Sequence, residues 1–216
     1  MTRKQIKGYA KNVLSNVGMK FYLITLLILG LSIFSAIPII GIIAAIALIP
    51  ISFSFIRMSL IGIRGEEVKY FETIGLWAYI KSMLWLILYY IIYMIPLIVG
   101  FVILEIESYE LEPSMFLLII ATLLILLSYI LIIYKSLGFA MVGYLAVDNP
   151  NATGRNLLKT SLLLMRGHRI EYFILGLSFI LWNFLSIFTC GIAYVYVFPY
   201  MQLTYAGYYE KLKNGY

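Results

Sequence analysis

FYLITLLILGLSIFSAIPIIGIIAAIALIPISFSFI, residues 21–56, decides the fold: it is an unbroken run of 36 uncharged residues between Lys20 and Arg57. A single helix of that length would be about 54 Å long at 1.5 Å per residue, against roughly 30 Å of bilayer hydrocarbon. The run must hold two crossings. Pro38 and Gly41 in AIPIIG supply the turn, which predicts spans over about 21–37 and 42–62. Arg57 then sits a turn or two from the end of the second span. It is either a buried functional arginine or a snorkelling one, and snorkelling to the headgroups is cheaper than about 2.5–3.5 kcal/mol at mid-membrane.

The same length limit divides the 38 uncharged residues between Glu171 and Glu210 into spans over about 172–189 and 192–209, turning at Thr189-Cys190-Gly191. A third span covers about 83–104, with a kink expected from Pro96 and Gly100. A fourth covers about 115–135 and can run on as helix through GFAMVGYLAV, 138–147, until Asp148-Asn149-Pro150 stops it. The composition agrees: 63% hydrophobic, 12% charged and a mean hydropathy of +0.97 describe an integral membrane protein rather than a soluble domain. The fold expected is all-α, a polytopic membrane helix bundle of six transmembrane helices forming a single membrane domain over 1–216. Met1–Ile37 has the charged and apolar regions of a signal peptide, but hydrophobicity resumes at once, so it reads as an uncleaved first span.

Three amphipathic interfacial helices are expected on the cytoplasmic side, over about 3–20, 66–82 and 153–167. The first carries Arg3, Lys4, Lys7, Lys11 and Lys20 between Ile6, Val13, Leu14 and Val17, and is expected to lie flat on the membrane, apolar face down. Each precedes an apolar hairpin, which fits either a degenerate triplication or the basic flanks any such hairpin needs. The segment 105–113, EIESYELEP, has four acids and no base, whereas all 16 lysines and arginines fall on the other face of this threading. The positive-inside rule therefore places both termini in the cytoplasm.

Within 144–173, Asp148, Asn149 and Pro150 form a helix stop in which Asp or Asn caps the next helix; a cation- or proton-binding Asp148 is the alternative. The helix that follows is expected to end at Gly167 with a left-handed cap. Arg155, Lys159 and Arg166 fall on one stripe and Leu157, Leu158, Leu162 and Met165 on another, either a solvated face or a site for anionic phospholipid headgroups, with Arg169, Lys7 and Lys11 as further contacts. His168 and Cys190 are the sole residues of their types, which removes intramolecular disulfides and Cys/His zinc clusters.

Tyr144-Leu-Ala-Val-Asp-Asn-Pro150, Leu164-Met-Arg-Gly-His-Arg169, LSFILW (177–182), Thr189-Cys-Gly-Ile192, Pro199-Tyr200 and Tyr208-Tyr-Glu-Lys-Leu212 together resemble the bacterial integral membrane family catalogued as domain of unknown function 975. With the basic amino-terminal helix and the RGEE loop, the resemblance covers nearly the whole chain. It implies a multi-span protein of the bacterial plasma membrane and brings no activity, substrate or catalytic residue with it.

No HExxH, GxSxG or GxxxxGK[ST] occurs, so neither an enzyme nor a metal or other cofactor is expected. The net charge of +6 is explained by orientation and lipid rather than nucleic acid, for which there is no reader motif. Polar residues gather in the last hairpin: Asn183, Ser186, Tyr200, Gln202 and Thr204. Pro199 frees the Val195 carbonyl, so Ser186 or Asn183 is expected to donate to it, and Gln202 to bond across the hairpin near Ser178. Two functions fit: a non-enzymatic membrane protein whose basic inner surface meets anionic lipid, a partner protein or a second copy; or a small transporter with a path along that hairpin. An intramembrane enzyme would need Asp148, His168 and Ser161 to converge.

Overall fold

The computed structural model describes residues 2–35, 37–110 and 112–215, with 38–40 described in their backbone only. Its described residues are helical, with loops between: α1 Arg3–Phe34, α2 Pro38–Arg64, α3 Leu76–Ser108, α4 Met115–Phe139, α5 Val142–Asp148, α6 Gly154–Leu164, α7 Arg169–Leu177, α8 Ile180–Phe188 and α9 Tyr194–Asn214. Among them, five stretches are long and apolar enough to cross a membrane: Arg3–Phe34, Gly41–Arg64, Leu76–Ser108, Met115–Asp148 and Arg169–Phe188. α9 falls short of that apolarity because it sits inside the bundle, where Leu203, Thr204, Ala206, Tyr208 and Tyr209 are buried.

The first interfacial helix does not exist as a separate element. α1 runs through 3–20 into the first span with only a kink at Val17, and Ile6, Ala10 and Leu14 are buried inside the protein, not on a bilayer. The small residues opposite explain why. A Cβ on Gly207 of α9 would stand 3.0 Å from Ile6, and one on Gly62 of α2 would touch Val13, Phe21 and Leu203, so three helices meet where glycine leaves room. Further into the bundle Phe21, Phe55 and Phe198 continue the contact, with ring centroids 5.7 and 5.1 Å apart.

The second interfacial helix is also absent over most of its expected length: 66–75 is loop, and helix begins at Leu76. Gly65 and Gly75 take left-handed conformations at its two ends, and a Cβ on Gly75 would lie 2.4 Å from the Ala146 carbonyl oxygen. This loop takes up Arg57, whose guanidinium lies 2.8 Å from Glu72 and donates to the Ile74 carbonyl.

α3 and α4 form a hairpin that leaves most of its apolar surface uncovered, with Leu88, Ile91, Ile95, Leu123, Leu127 and Ile130 all exposed. Small residues hold it: Ala121 faces Gly100, and Ser128 Oγ donates to the Tyr93 carbonyl. The fourth helix does run on past 135, but through a break at Ala140-Met141 into α5. The fifth span breaks as well, at Ser178-Phe179, into α7 and α8. Two consecutive left-handed residues, Cys190 and Gly191, turn the chain into α9.

Candidate functional site

Among the described residues, every ion pair but Arg57–Glu72 lies at the basic end of the bundle, where α2, α5 and α9 finish. Arg64, last residue of α2, lies 2.8 Å from Asp148 Oδ1 and 2.6 Å from Glu210 Oε1. Lys213 Nζ lies 2.6 Å from Asp148 Oδ2, and the Tyr209 hydroxyl donates to the same oxygen at 2.7 Å. A neighbouring set joins Lys211 to Glu171, with the Tyr208 hydroxyl donating to Glu171 at 3.1 Å and His168 Nδ1 3.5 Å away. Asp148 ends α5 on the polar side of its apolar run. Burial pushes its carboxyl up, and the hydrogen bonds from Lys213, Tyr209 and Arg64 more than offset this, leaving it below the ordinary carboxylate value.

Asp148 is therefore no helix cap, since its carboxylate is taken up by Arg64, Tyr209 and Lys213. Thr153 is the N-cap of α6, without a side-chain cap bond. Asn149 ends α5, its amide donating to the Leu145 carbonyl, and Pro150 opens the turn that follows. Gly167 is left-handed as expected for its residue type, although α6 has already ended at Leu164.

On α6, Leu157, Leu158 and Ser161 are buried, and Ser161 Oγ donates to the Gly138 carbonyl of α4 at 2.8 Å. A Cβ on Gly154 would stand 2.5 Å from the Lys81 carbonyl, so α6 meets α3 backbone to backbone. That docking leaves Arg155 and Lys159 exposed. Arg166 is exposed too, but past the helix end, so it does not continue their stripe. Arg155 lies over the Trp85 ring at 5.8 Å, Lys81 over Trp77 at 5.9 Å and Lys135 over Tyr93 at 5.4 Å.

The remaining basic candidates divide. Lys11 is exposed, whereas Lys7 is half-buried, 4.1 Å above the Phe179 ring and within 3.5 Å of the Ser178 carbonyl at the α7–α8 break. Arg169 turns inward: its guanidinium stacks 4.0 Å from the Tyr134 ring, close against Gly138, with Nε and Nη1 buried and unpartnered among the described residues.

In the last hairpin the expected bonds do not form. Ser186 donates to the Trp182 carbonyl of its own helix rather than to Val195, and Ser178 to Leu175. Gln202 instead accepts from the Tyr144 hydroxyl of α5 at 3.3 Å. Thr204 bonds the Tyr200 carbonyl, Tyr200 packs edge-on against Phe179, and Asn183 faces a groove beside Leu137 of α4. The fifth span breaks at 178–179, between Ser178 and the α8 residues Asn183 and Ser186, and Asn183 and Gln202 line different spaces that share Tyr172 and Tyr205.

Arg64 and the Tyr208–Lys213 set were overlooked as a site in the sequence. The signal was present, because Asp148, Glu171 and Glu210 are acids on a strongly basic face and acids there need partners.

Comparison with known proteins is spare: no curated protein and no solved structure matches the chain. The model of the family described as "Protein of unknown function (DUF975)" matches residues 1–215, and the chain belongs to that family.

Proposed function

We propose that this chain is a non-enzymatic, multi-pass protein of the bacterial plasma membrane, with both termini in the cytoplasm, whose basic end engages anionic phospholipid headgroups. α9 serves as the sixth crossing, shielded from lipid by α1, α2 and α8, which accounts for its greater polarity. The observation that carries the proposal is the arrangement on α6 and its neighbours. Leucines dock the helix, while Arg155, Lys159 and Lys81 stand exposed beside Trp77 and Trp85. Basic side chains beside tryptophan are what a membrane–water interface selects, each cation near anionic lipid contributing about 1 kcal/mol. The residues an intramembrane enzyme would bring together have separate duties: Ser161 bonds Gly138, Asp148 pairs with Arg64, and His168 sits beside Glu171.

The test is lipid co-purification. Extracted from membranes of mixed charge, the wild-type protein should retain phosphatidylglycerol in excess of its bulk share. Arg155→Ala/Lys159→Ala should lose most of that excess with unchanged elution volume and unfolding midpoint. Equal enrichment in the variant defeats the proposal, and loss of a co-purifying protein instead of lipid reassigns the surface to a protein partner.

A further inference from the structure

A chamber of 250 Å³ lies between α2, α3, α5, α7 and α9, walled by Tyr79, Tyr144, Tyr172, Gln202 and Tyr205. Its remaining wall includes Ala140, Val142 and Gly143, at the break between α4 and α5. Irregular backbone at membrane depth is tolerated where it lines a cavity. The polar groups of the wall are phenols and one amide, with no charged side chain. The Tyr144 hydroxyl is committed to Gln202. Among the described residues, those of Tyr79, Tyr172 and Tyr205 make no hydrogen bond within the protein. All three residues are partly exposed and line this space, and three phenols without a protein partner along one wall suit a polar occupant.

A groove of 380 Å³ adjoins the chamber between α2 and α3. Tyr79 and Met83 belong to both, and the rest of the groove is almost wholly apolar: Leu48, Ile49, Ile80, Leu84 and Ile87. Ile49, Leu84 and Ile87 are exposed on the apolar surface, so the groove opens toward lipid and not water. Along α2 the wall passes from Ile56 in the chamber to Leu48 in the groove, eight residues or about 12 Å farther from the basic end. On α3 the two share the stretch from Tyr79 to Ile87, so polar and apolar space lie side by side.

We propose that chamber and groove form one binding site for a neutral lipid with a hydroxylated headgroup, its head in the tyrosine chamber and its acyl tail in the groove. Charge decides the class of head. An ionised phosphate or amine would enter a wall without a counter-charge, at a cost of several kcal/mol, whereas phenols and an amide donate to and accept from hydroxyl and ester groups. The entrance decides the tail. This site is separate from the exposed basic surface, which meets headgroups from outside.

The probe is monooleoylglycerol carrying a photoreactive diazirine in its tail, added to the whole protein in phosphatidylcholine nanodiscs, with crosslinked residues read by mass spectrometry. Crosslinks should concentrate at Leu48, Ile49 and Leu84. Unlabelled monooleoylglycerol should displace the probe at least about tenfold better than oleoyl lysophosphatidylglycerol. Tyr172→Phe/Tyr205→Phe keeps both rings and should weaken binding about tenfold. Ile80→Trp should fill the groove and abolish the crosslinks at Leu48, while Arg155→Ala/Lys159→Ala should leave them unchanged. Crosslinks scattered evenly over the apolar surface, equal competition by the anionic lipid, or indifference to the tyrosine substitutions would each overturn the proposal; the last two would leave a chamber holding only water.

Discussion

Asp148 joins the carboxyl-terminal helix to α2 and α5, so Asp148→Ala tests the account of the basic end most directly. The carboxylate is 10% exposed and receives Arg64, Lys213 and the Tyr209 hydroxyl. Its removal strands the hydroxyl of a tyrosine that is 1% exposed, and a hydrogen bond to a charged acceptor contributes about 1.5–3 kcal/mol. Arg64 keeps Glu210, so its loss falls well short of the roughly 3–5 kcal/mol of a fully stranded buried charge. Lys213 is 47% exposed and contributes at most about 1 kcal/mol. Asp148→Ala should therefore cost about 3 kcal/mol, Tyr209→Phe about half of that, and Lys213→Ala least. Because Tyr209 has lost its acceptor in Asp148→Ala, adding Tyr209→Phe to that variant should cost little more. Unfolding by increasing mole fractions of denaturing detergent, followed by tryptophan fluorescence, measures the order. Lys213→Ala proving as costly as Asp148→Ala, or additive costs for Asp148 and Tyr209, would refute the reasoning.

Acid stability follows from the same carboxyl. Its folded value lies below its ordinary 3.8, so the pairing contributes fully above about pH 3.8 and is lost as pH falls through the folded value; Asp148→Asn should flatten the fall in unfolding midpoint on acidification over that window, and an unchanged slope would count against it. Gly154→Ala places a methyl group 2.5 Å from the Lys81 carbonyl, where backbone has to move, so it should cost at least about 2 kcal/mol by the same titration. Gly8→Ala, where a Cβ meets nothing within 4 Å, is its control and should be neutral or slightly stabilising.

How far the fold could be read from the chain depended on the kind of constraint involved. Hydrocarbon thickness acts on local sequence, so the 36-residue run of 21–56 announced two crossings without knowledge of any neighbour. Amphipathicity is weaker, because it shows that a face is apolar but not what covers it. Ile6, Val13 and Leu14 had the pattern of a surface helix, yet Gly62 and Gly207, far along the chain, open a seat for this face inside the protein. Helix breaks at Ala140-Met141 and Ser178-Phe179 carry no proline, since tertiary packing sets them, and each displaced polar partners expected from straight helices. Gln202 shows the consequence: extrapolated register aimed it at Ser178, whereas the broken α4–α5 junction brings Tyr144 to it. The chamber was hidden for the same reason. Tyr79, Tyr144, Tyr172 and Tyr205 belong to four helices, and among 19 tyrosines nothing in their spacing sets them apart from those that stack in the core. Only the three-dimensional arrangement separates hydroxyls with partners from hydroxyls without, and in a wall free of charge the unpartnered ones set what the site can hold.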